Sequence, residues 1–307
     1  MKILVFGARG WIGQQFMRLV EATPDSEGIV GVSRVNNTIA LEQEIQNIRP
    51  THIVSLIGRT HGSIKGRDYS TIDYLEQDGK LVENVRDNLF SPISLAILCQ
   101  KYEIHFTYLG TGCIFSGTTT DESQQFTEAS VPNFFGSGYS TVKGFTDQLM
   151  HLFPTVLNLR IRMPIIGEDH PRNFITKITT YDKICSISNS MTVLPNLLPL
   201  VIDMMQKHRI GTINLTNPGV ISHNRILAHY THYVNPDFKW KNFTIEEQDK
   251  ILDSERSNNY LDTTLLESWY PDLPNIDQAI ISILKDYRVD TKLPKNKWTT
   301  GQLVKKV

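Results

Sequence analysis

Tyr139 and Lys143 stand four residues apart in "YSTVK" (139–143). On a helix this spacing puts both side chains on one face. A lysine ammonium beside a phenol favours the phenolate and lowers the tyrosine pKa. Tyr139 then becomes an acid or base usable near neutral pH. The pattern alone is common, and a structural surface pair is the competing reading. A second pair, Thr111 and Cys113, lies in "GTGCIFSG" (110–117), where the apolar run "IHFTYL" (104–109) should end as a strand. A thiol, with an ordinary pKa near 8.5, is a proton donor or acceptor in the right range. Cysteine is also often a small core residue, which is the competing reading for Cys113.

A third group of residues suits phosphate. Gly7, Gly10 and Gly13 fall directly between the apolar run "KILVF" (2–6) and the helical pattern "WIGQQFMRLVEA" (11–22). Glycines there permit a tight turn and close approach of a phosphate to free helix N–H groups. The spacing is GxxGxxG rather than the GxGxxG fingerprint, so its context at a strand-to-helix turn carries the reading. Trp11 and Ile12 complete the loop. An NAD-binding chain usually shows Asp or Glu about 20 residues further on. Here that place reads "SRVNN" (33–37). Arg34 offers a cation and Ser33 a donor for a 2′-phosphate, and Arg9 adds a second cation, so NADPH is favoured over NADH. Arg34 as a plain surface residue is the alternative.

The elements that must hold these groups follow from periodicity. Continuous apolar strands are expected at 2–6, 29–33, 52–58, 104–110 and 155–161. Helices are expected at 11–22, 41–49 (stopped by Pro50), 81–101 (interrupted by Pro92) and 140–153. Alternation of the two implies βαβ units and a doubly wound parallel sheet of the α/β class. After Arg162 prolines gather and strands such as 211–216 stand further apart, which predicts a smaller mixed lobe. The expected division is a cofactor domain over 1–165 with a returning segment at about 195–232, a second lobe over 166–290, and a basic, solvated tail over 291–307. The 307 residues carry a net charge of -1 and three scattered cysteines. That excludes a nucleic-acid footprint, a disulfide framework and a CxxC zinc site, and favours a reducing compartment such as the cytoplasm. No run reaches the roughly 18 apolar residues of a membrane span.

A glycine-loop βαβ half, a strand-end threonine and YxxxK together resemble the extended short-chain dehydrogenase/reductase family. Longer strings are more specific: "TGCIF" (111–115), "PNFFGSGYSTVK" (132–143), "RMPI" (162–165), "PRNFITKI" (171–178), "TNPGVISHN" (216–224) and "RSNN" (256–259). These closely resemble the UDP-4-keto-6-deoxyglucose 3,5-epimerase/4-reductase family of UDP-L-rhamnose synthesis. More distantly they resemble GDP-fucose synthase and dTDP-4-dehydrorhamnose reductase. The resemblance implies that Thr111 hydrogen-bonds the substrate carbonyl and that Tyr139 and Lys143 serve the reduction. It makes Cys113 and Lys177 the epimerising acid/base pair, with Cys113 assigned as base and Lys177 as acid. It adds Gly58, Asn88 and Arg162 to the cofactor set. Arg172, Asn173, Met191, Arg256 and Asn258 become candidates for the sugar or the diphosphate-uridine.

The chemistry is coherent with this set. A C4 ketone acidifies the hydrogens on C3 and C5, and inversion needs a base and an acid on opposite faces of one sugar. Hydride from NADPH then reduces C4, and Tyr139 protonates the oxygen. The chain departs from its family at Gly110, where alanine is usual, and at "RTHGSIK" (59–65), near the sugar. The C2 substituent, hydroxyl or N-acetyl, is thereby left open. The expected partner is a UDP-4-keto-6-deoxyhexose in a cytoplasmic homodimer, the host cytoplasm for a viral source. Two alternatives are a plain 4-ketoreductase and a non-catalytic NADP-binding regulatory subunit. Retention of Thr111, Tyr139 and Lys143 argues against the latter.

Overall fold

Lys2–Phe6 forms β1, and Ile3, Leu4, Val5 and Phe6 are all buried because both faces of the strand are covered. In the computed structural model of the chain, residues 1–119, 124–181 and 183–290 are described. The basic stretch 291–307, read from sequence as a tail, lies outside the described residues. After α1 (Trp11–Glu21), β2 (Glu27–Val30) pairs in parallel with β1. After α2 (Thr38–Ile48), β3 (His52–Ser55) takes the other side of β1. A short antiparallel hairpin follows, β4 (Gly62–Ile64) and β5 (Arg67–Tyr69). The chain then runs through α3 (Leu81–Val85) and α4 (Ser91–Lys101) into β6 (His105–Thr111), which pairs in parallel with β3. Next come α5 (Gly138–Met150), β7 (Val156–Ile161), α6 (Phe174–Thr180), β8 (Lys183–Ile184), α7 (Leu194–Gln206) and β9 (Gly211–Asn214). The sheet order is β2-β1-β3-β6-β7-β9, the expected α/β arrangement. Strand order reverses between β1 and β3, and the glycine loop follows β1 at that switch point.

Several boundaries differ from the sequence expectation: β3 ends at Ser55 rather than at 58, and α2 begins at Thr38 rather than at 41. The second strand begins and ends earlier, spanning Glu27–Val30, and Gly31 beyond it leaves room for the Phe6 ring, which a β-carbon there would meet at 2.6 Å. The long helix is widened to a π-turn at Arg86–Phe90, just before Pro92 rather than at it. Pro92 has no N–H to give the Asn88 carbonyl four residues back. Thr146 of α5 fills that vacancy, its hydroxyl donating to Asn88 O at 2.7 Å. The proline-rich stretch 194–206 is helical despite Pro199, and β9 is an edge strand of the main sheet.

Two compact units emerge from the contacts. The first comprises 1–114, 128–160 and 198–213, with a core of residues such as Phe6, Ile53, Leu95 and Phe106. Among the described residues the second comprises 115–119, 124–127, 161–181, 183–197 and 214–290, with a core that includes Ile165, Ile175, Met191, Ile226 and Ile280. It holds α8 (His223–Tyr233), α9 (Ile245–Asp249), α10 (Thr264–Trp269) and α11 (Ile276–Lys285), and α8 and α11 pack on each other.

In the first unit a histidine cluster ties the sheet to α7. His52 and His105 begin β3 and β6 and are register partners, with ring centroids 5.1 Å apart. His208 adds a third ring, 5.0 Å from His52. His52 Nε2 lies 3.1 Å from Met205 O and His105 Nε2 2.7 Å from Arg209 O, so each imidazole donates to a carbonyl at the end of α7. Burial first, then the neighbouring histidines, hold His52 down at about 4. His52 therefore stays neutral in the fold while the unfolded chain takes up a proton below about 6.5. Stability is lost as pH falls from about 6.5 to 4, by about 3 kcal/mol for this group. Buried His223, also held down at about 4, acts with the same sign in the second unit. Thermal unfolding followed by circular dichroism should show a melting temperature that drops across this window. His52→Gln should flatten the drop partly and leave the His223 share.

Candidate functional site

Helix α5 is built to present one face. Ser137 caps it, its hydroxyl accepting from Ser140 N at 3.0 Å, and the Gly138 N–H donates to Glu76 Oε1 at 2.8 Å. Tyr139, Lys143 and Asp147 recur at helical spacing on that face, and all three are buried. A buried charge must be paired. Arg160 of β7 meets Asp147 with two hydrogen bonds, Nε to Oδ1 at 2.9 Å and Nη2 to Oδ2 at 2.7 Å. Asn158 adds Nδ2 to Oδ1 at 2.8 Å. These partners offset the desolvation that opposes ionisation and hold Asp147 down at about 2. Lys143 Nζ donates to the Tyr108 hydroxyl and lies 4.5 Å from that ring's centroid. Burial lowers the Lys143 amine to about 8, against the pull of Asp147. Gly110 belongs to this arrangement: a β-carbon there would sit 2.6 Å from Asn158 Oδ1.

Thr111, Cys113 and Tyr139 meet at the end of β6. Cys113 N–H donates to Thr111 Oγ1 at 3.1 Å, and the Thr111 side chain is also hydrogen-bonded to Tyr139. Cys113 is partly exposed, whereas Cys99 and Cys185 are buried. It packs against the buried cluster of Tyr74, Leu75 and Tyr139, against which Ile64 and Tyr69 of the hairpin also pack. The expected lowering of the tyrosine pKa is not found. Burial pushes the Tyr139 phenol up, Cys113 adds to this, and the Thr111 hydrogen bond only opposes it. The reason is that the Lys143 ammonium is directed to Tyr108, while the Tyr139 phenol is desolvated. Tyr139 is thus a stable proton donor, the form needed to protonate an alkoxide.

The glycine loop has the geometry a phosphate cradle requires. Gly7 has φ +86°, and a β-carbon on it would meet Leu56 C at 2.8 Å. A β-carbon on Gly13 would meet Gly7 O at 2.2 Å. Gly10 caps α1 with extended backbone, and Arg9 and Arg34 are exposed at the same end of the sheet as Gly58. Trp11 and Ile12 are half-buried in the first turn. Ser33 differs from expectation: its hydroxyl donates to Ala40 O at 3.2 Å, and its N–H, with that of Val32, donates to the Glu44 carboxylate. Asn88 is buried and clamps the segment after Gly58, accepting from Arg59 N and donating to Arg59 O, both at 2.9 Å.

The remaining candidates fall in the second unit. Arg162, expected at the cofactor, is buried there and acts as a framework residue. Its guanidinium donates to Ser257 Oγ at 3.0 Å and to Asn189 Oδ1 at 2.7 Å. Asn189 in turn donates to Asn258 Oδ1 at 2.9 Å, so the strap 256–259 is fixed from below. Arg256 Nη1 reaches Ser254 Oγ at 2.6 Å. Asn173 caps α6 and donates to Ile166 O and Glu168 O, and Met191 is in the core. Neither side chain is presented as a sugar contact, because the donors of one are spent on the backbone and the other has no exposed surface. Lys177 is partly buried on α6, and its amine is lowered to about 8 by burial and then by Arg172 and Arg256. These three cations therefore form one positive cluster.

Sequence reasoning missed Tyr108, Thr146, the Asp147–Arg160 pair and Glu44. Asp147 was accessible, being one more turn along the face that carries Tyr139 and Lys143. For Arg160 the signal was its charge within the strand 155–161. Among the described residues no group of histidines, cysteines and carboxylates could hold a metal, and no helix is long and apolar enough to cross a membrane. Asp147→Asn should cost about 3–5 kcal/mol in urea denaturation, since it leaves Arg160 buried without its full partner. Thr146→Val, which strands the Asn88 carbonyl, should cost about 1–2 kcal/mol in the same measurement.

No family model matches the chain. Protein L780 of Acanthamoeba polyphaga mimivirus is 54% identical over 288 residues, which covers 92% of this chain and 98% of that one. The crystal structure of the L780 UDP-rhamnose synthase superposes with a TM-score of 0.90 at 52% identity, over 93% of this chain and 99% of that one. A bifunctional dTDP-4-dehydrorhamnose 3,5-epimerase/dTDP-4-dehydrorhamnose reductase of Arabidopsis thaliana is 39% identical over 288 residues, 92% of this chain and 91% of its own. The Arabidopsis trifunctional UDP-glucose 4,6-dehydratase/UDP-4-keto-6-deoxy-D-glucose 3,5-epimerase/UDP-4-keto-L-rhamnose-reductase RHM1 is also 39% identical, but this chain spans 41% of it.

Proposed function

The chain belongs to the family of bifunctional nucleotide-sugar 3,5-epimerase/4-reductases that includes the L780 UDP-rhamnose synthase, and from this premise we propose that it converts a UDP-4-keto-6-deoxyhexose to a UDP-L-sugar such as UDP-L-rhamnose. The single observation that carries the reading is the meeting of Thr111, Cys113 and Tyr139 at the end of β6, with Lys143 buried one turn along α5. The 4,6-dehydratase activity of the trifunctional relatives is not part of the proposal.

The residues divide the work as follows. Thr111 and Tyr139 donate hydrogen bonds to the C4 oxygen and stabilise negative charge as it develops there. Cys113 removes a proton next to the C4 carbonyl, leaving an enolate. Lys177 returns a proton to the opposite face and inverts the carbon. Its lowered pKa lets the amine exchange protons near neutrality. NADPH, when bound, supplies the hydride that reduces C4. Gly7, Gly10 and Gly13 let its diphosphate approach the backbone, and Arg9 and Arg34 provide cations for a 2′-phosphate. Lys143 stands one turn along the same face of α5, its ammonium held by Tyr108, and Tyr139 would donate its phenolic proton to the new alkoxide. Arg172 and Arg256 supply positive charge for the substrate diphosphate, with Asn258 beside them on the strap. Asn173, Met191 and Arg162 act by holding these segments in place.

A homodimer in the cytoplasm fits this reading. Support for the dimer is the set of exposed apolar side chains on packed helices: Val82, Val85, Phe90 and Ile97, with Phe145 and Leu149 on α5. The functional test is NMR of UDP-4-keto-6-deoxyglucose in D₂O, without and then with NADPH. Deuterium should enter at C3 and C5 before any reduction. Cys113→Ser should slow that exchange by about 10²-fold or more, and Tyr139→Phe should slow NADPH oxidation by a similar factor. NADPH oxidation with no deuterium uptake would leave a plain 4-ketoreductase. Absence of both reactions, with the N-acetyl analogue as well, would leave a binding subunit.

A further inference from the structure

Helix α6 carries Lys177 and has only seven residues. A helix this short has no stability of its own and takes its position from what it is tied to. Ile175 and Ile178 anchor one side in the core. The polar side is tied to the end of the described chain. Tyr287 follows α11, and its hydroxyl donates to Asp169 Oδ1 at 3.0 Å. The same oxygen lies 3.2 Å from Asn173 Nδ2, the helix cap, and 3.2 Å from Thr176 Oγ1, the residue before Lys177. Asp169 closes the arrangement: Oδ1 accepts from Thr176 at 3.1 Å and Oδ2 from Asp290 N at 3.1 Å. Backbone pairing of Gly167 and Asp169 with Arg288, at 2.9 Å in both bonds, holds the two strands of the clasp together. Every one of these contacts lies inside the second unit.

We propose that Tyr287 is a positioning residue for Lys177: its hydroxyl, joined to Asp169, Asn173 and Thr176, holds the helix on which the epimerising amine is carried. The proposal rests on the role given to Lys177 above. Its consequence is a separation of the two half-reactions. Proton return at carbon depends on an amine placed to within a fraction of an ångström, because small misplacements cost large factors in rate. Hydride transfer to C4 depends on Thr111, Tyr139 and Lys143, which the clasp does not touch. Loosening the clasp therefore slows inversion and spares reduction.

The test uses the full-length enzyme and two assays. Deuterium uptake into UDP-4-keto-6-deoxyglucose without NADPH reads epimerisation, and NADPH oxidation with UDP-4-keto-L-rhamnose, already inverted, reads reduction. Tyr287→Phe and Asp169→Asn should each lower exchange about tenfold or more and leave reduction within about twofold. The pH limb of exchange set by Lys177 should move upward in both variants, since a looser helix admits water to the amine beside Arg172 and Arg256. Equal losses in both assays with a lowered melting temperature would make the clasp merely structural and overturn the proposal. Unchanged exchange would overturn it as well. Lys177→Ala is run in parallel: exchange that survives this change refutes the role of Lys177 itself, whereas its loss with wild-type behaviour in Tyr287→Phe refutes the clasp alone.

Discussion

A buried ion pair organises the first unit. Asp147 and Arg160 are both inaccessible to water, and each would be very costly alone. Their two-pronged hydrogen bonding fixes the rotation of α5 on β7, and that rotation decides where Lys143 and Tyr139 point, one and two turns away. Other features follow from it. Asn158 saturates the same carboxylate, and the space Asn158 needs forbids a side chain at position 110. Tyr108 faces Lys143 from β6 and gives the buried ammonium both a hydroxyl and a ring face. The family's usual alanine before the TGCIF string is therefore incompatible with this packing unless Asn158 shifts.

The π-turn before Pro92 shows the same economy. A proline deprives the Asn88 carbonyl of its helical donor, and α5 supplies one from Thr146. The bond joins the helix that bears the proton donor to the helix that bears Asn88. The Asn88 side chain in turn clamps the backbone beyond β3 at the cofactor end of the sheet. One missing N–H is thus the reason two functional segments are mechanically linked.

The second unit solves a different problem, which is to hold irregular segments still. Arg162 does this by reaching Ser257 and Asn189, so that a strap with no regular structure is gripped by a single planar group with several donors. Asn173 does it for the short helix of Lys177 by satisfying two N–H groups and two carbonyls around its start. Both residues sit in strings that resemble a family's motifs, Arg162 expected at the cofactor and Asn173 at the substrate. In both, the side chain's polar atoms are turned to backbone and framework, which a motif comparison does not distinguish from ligand contact.

The sequence by itself determined the apolar strands, the helical spacing of Tyr139 and Lys143, the glycine turn after β1 and the strand-end placement of Thr111 and Cys113. These are local properties: side-chain period, glycine's access to positive φ, and capping are all written within a few residues. Tertiary structure alone decided that Lys143 meets Tyr108, that the Tyr139 phenol is pushed up rather than down, and that Ser33 is spent on Ala40. It also turned Arg162 and Asn173 into framework. Each of these depends on which distant groups share a buried space, and on the water that burial removes. Pairing energy and desolvation act between residues far apart in the chain, and no short-range pattern encodes their balance.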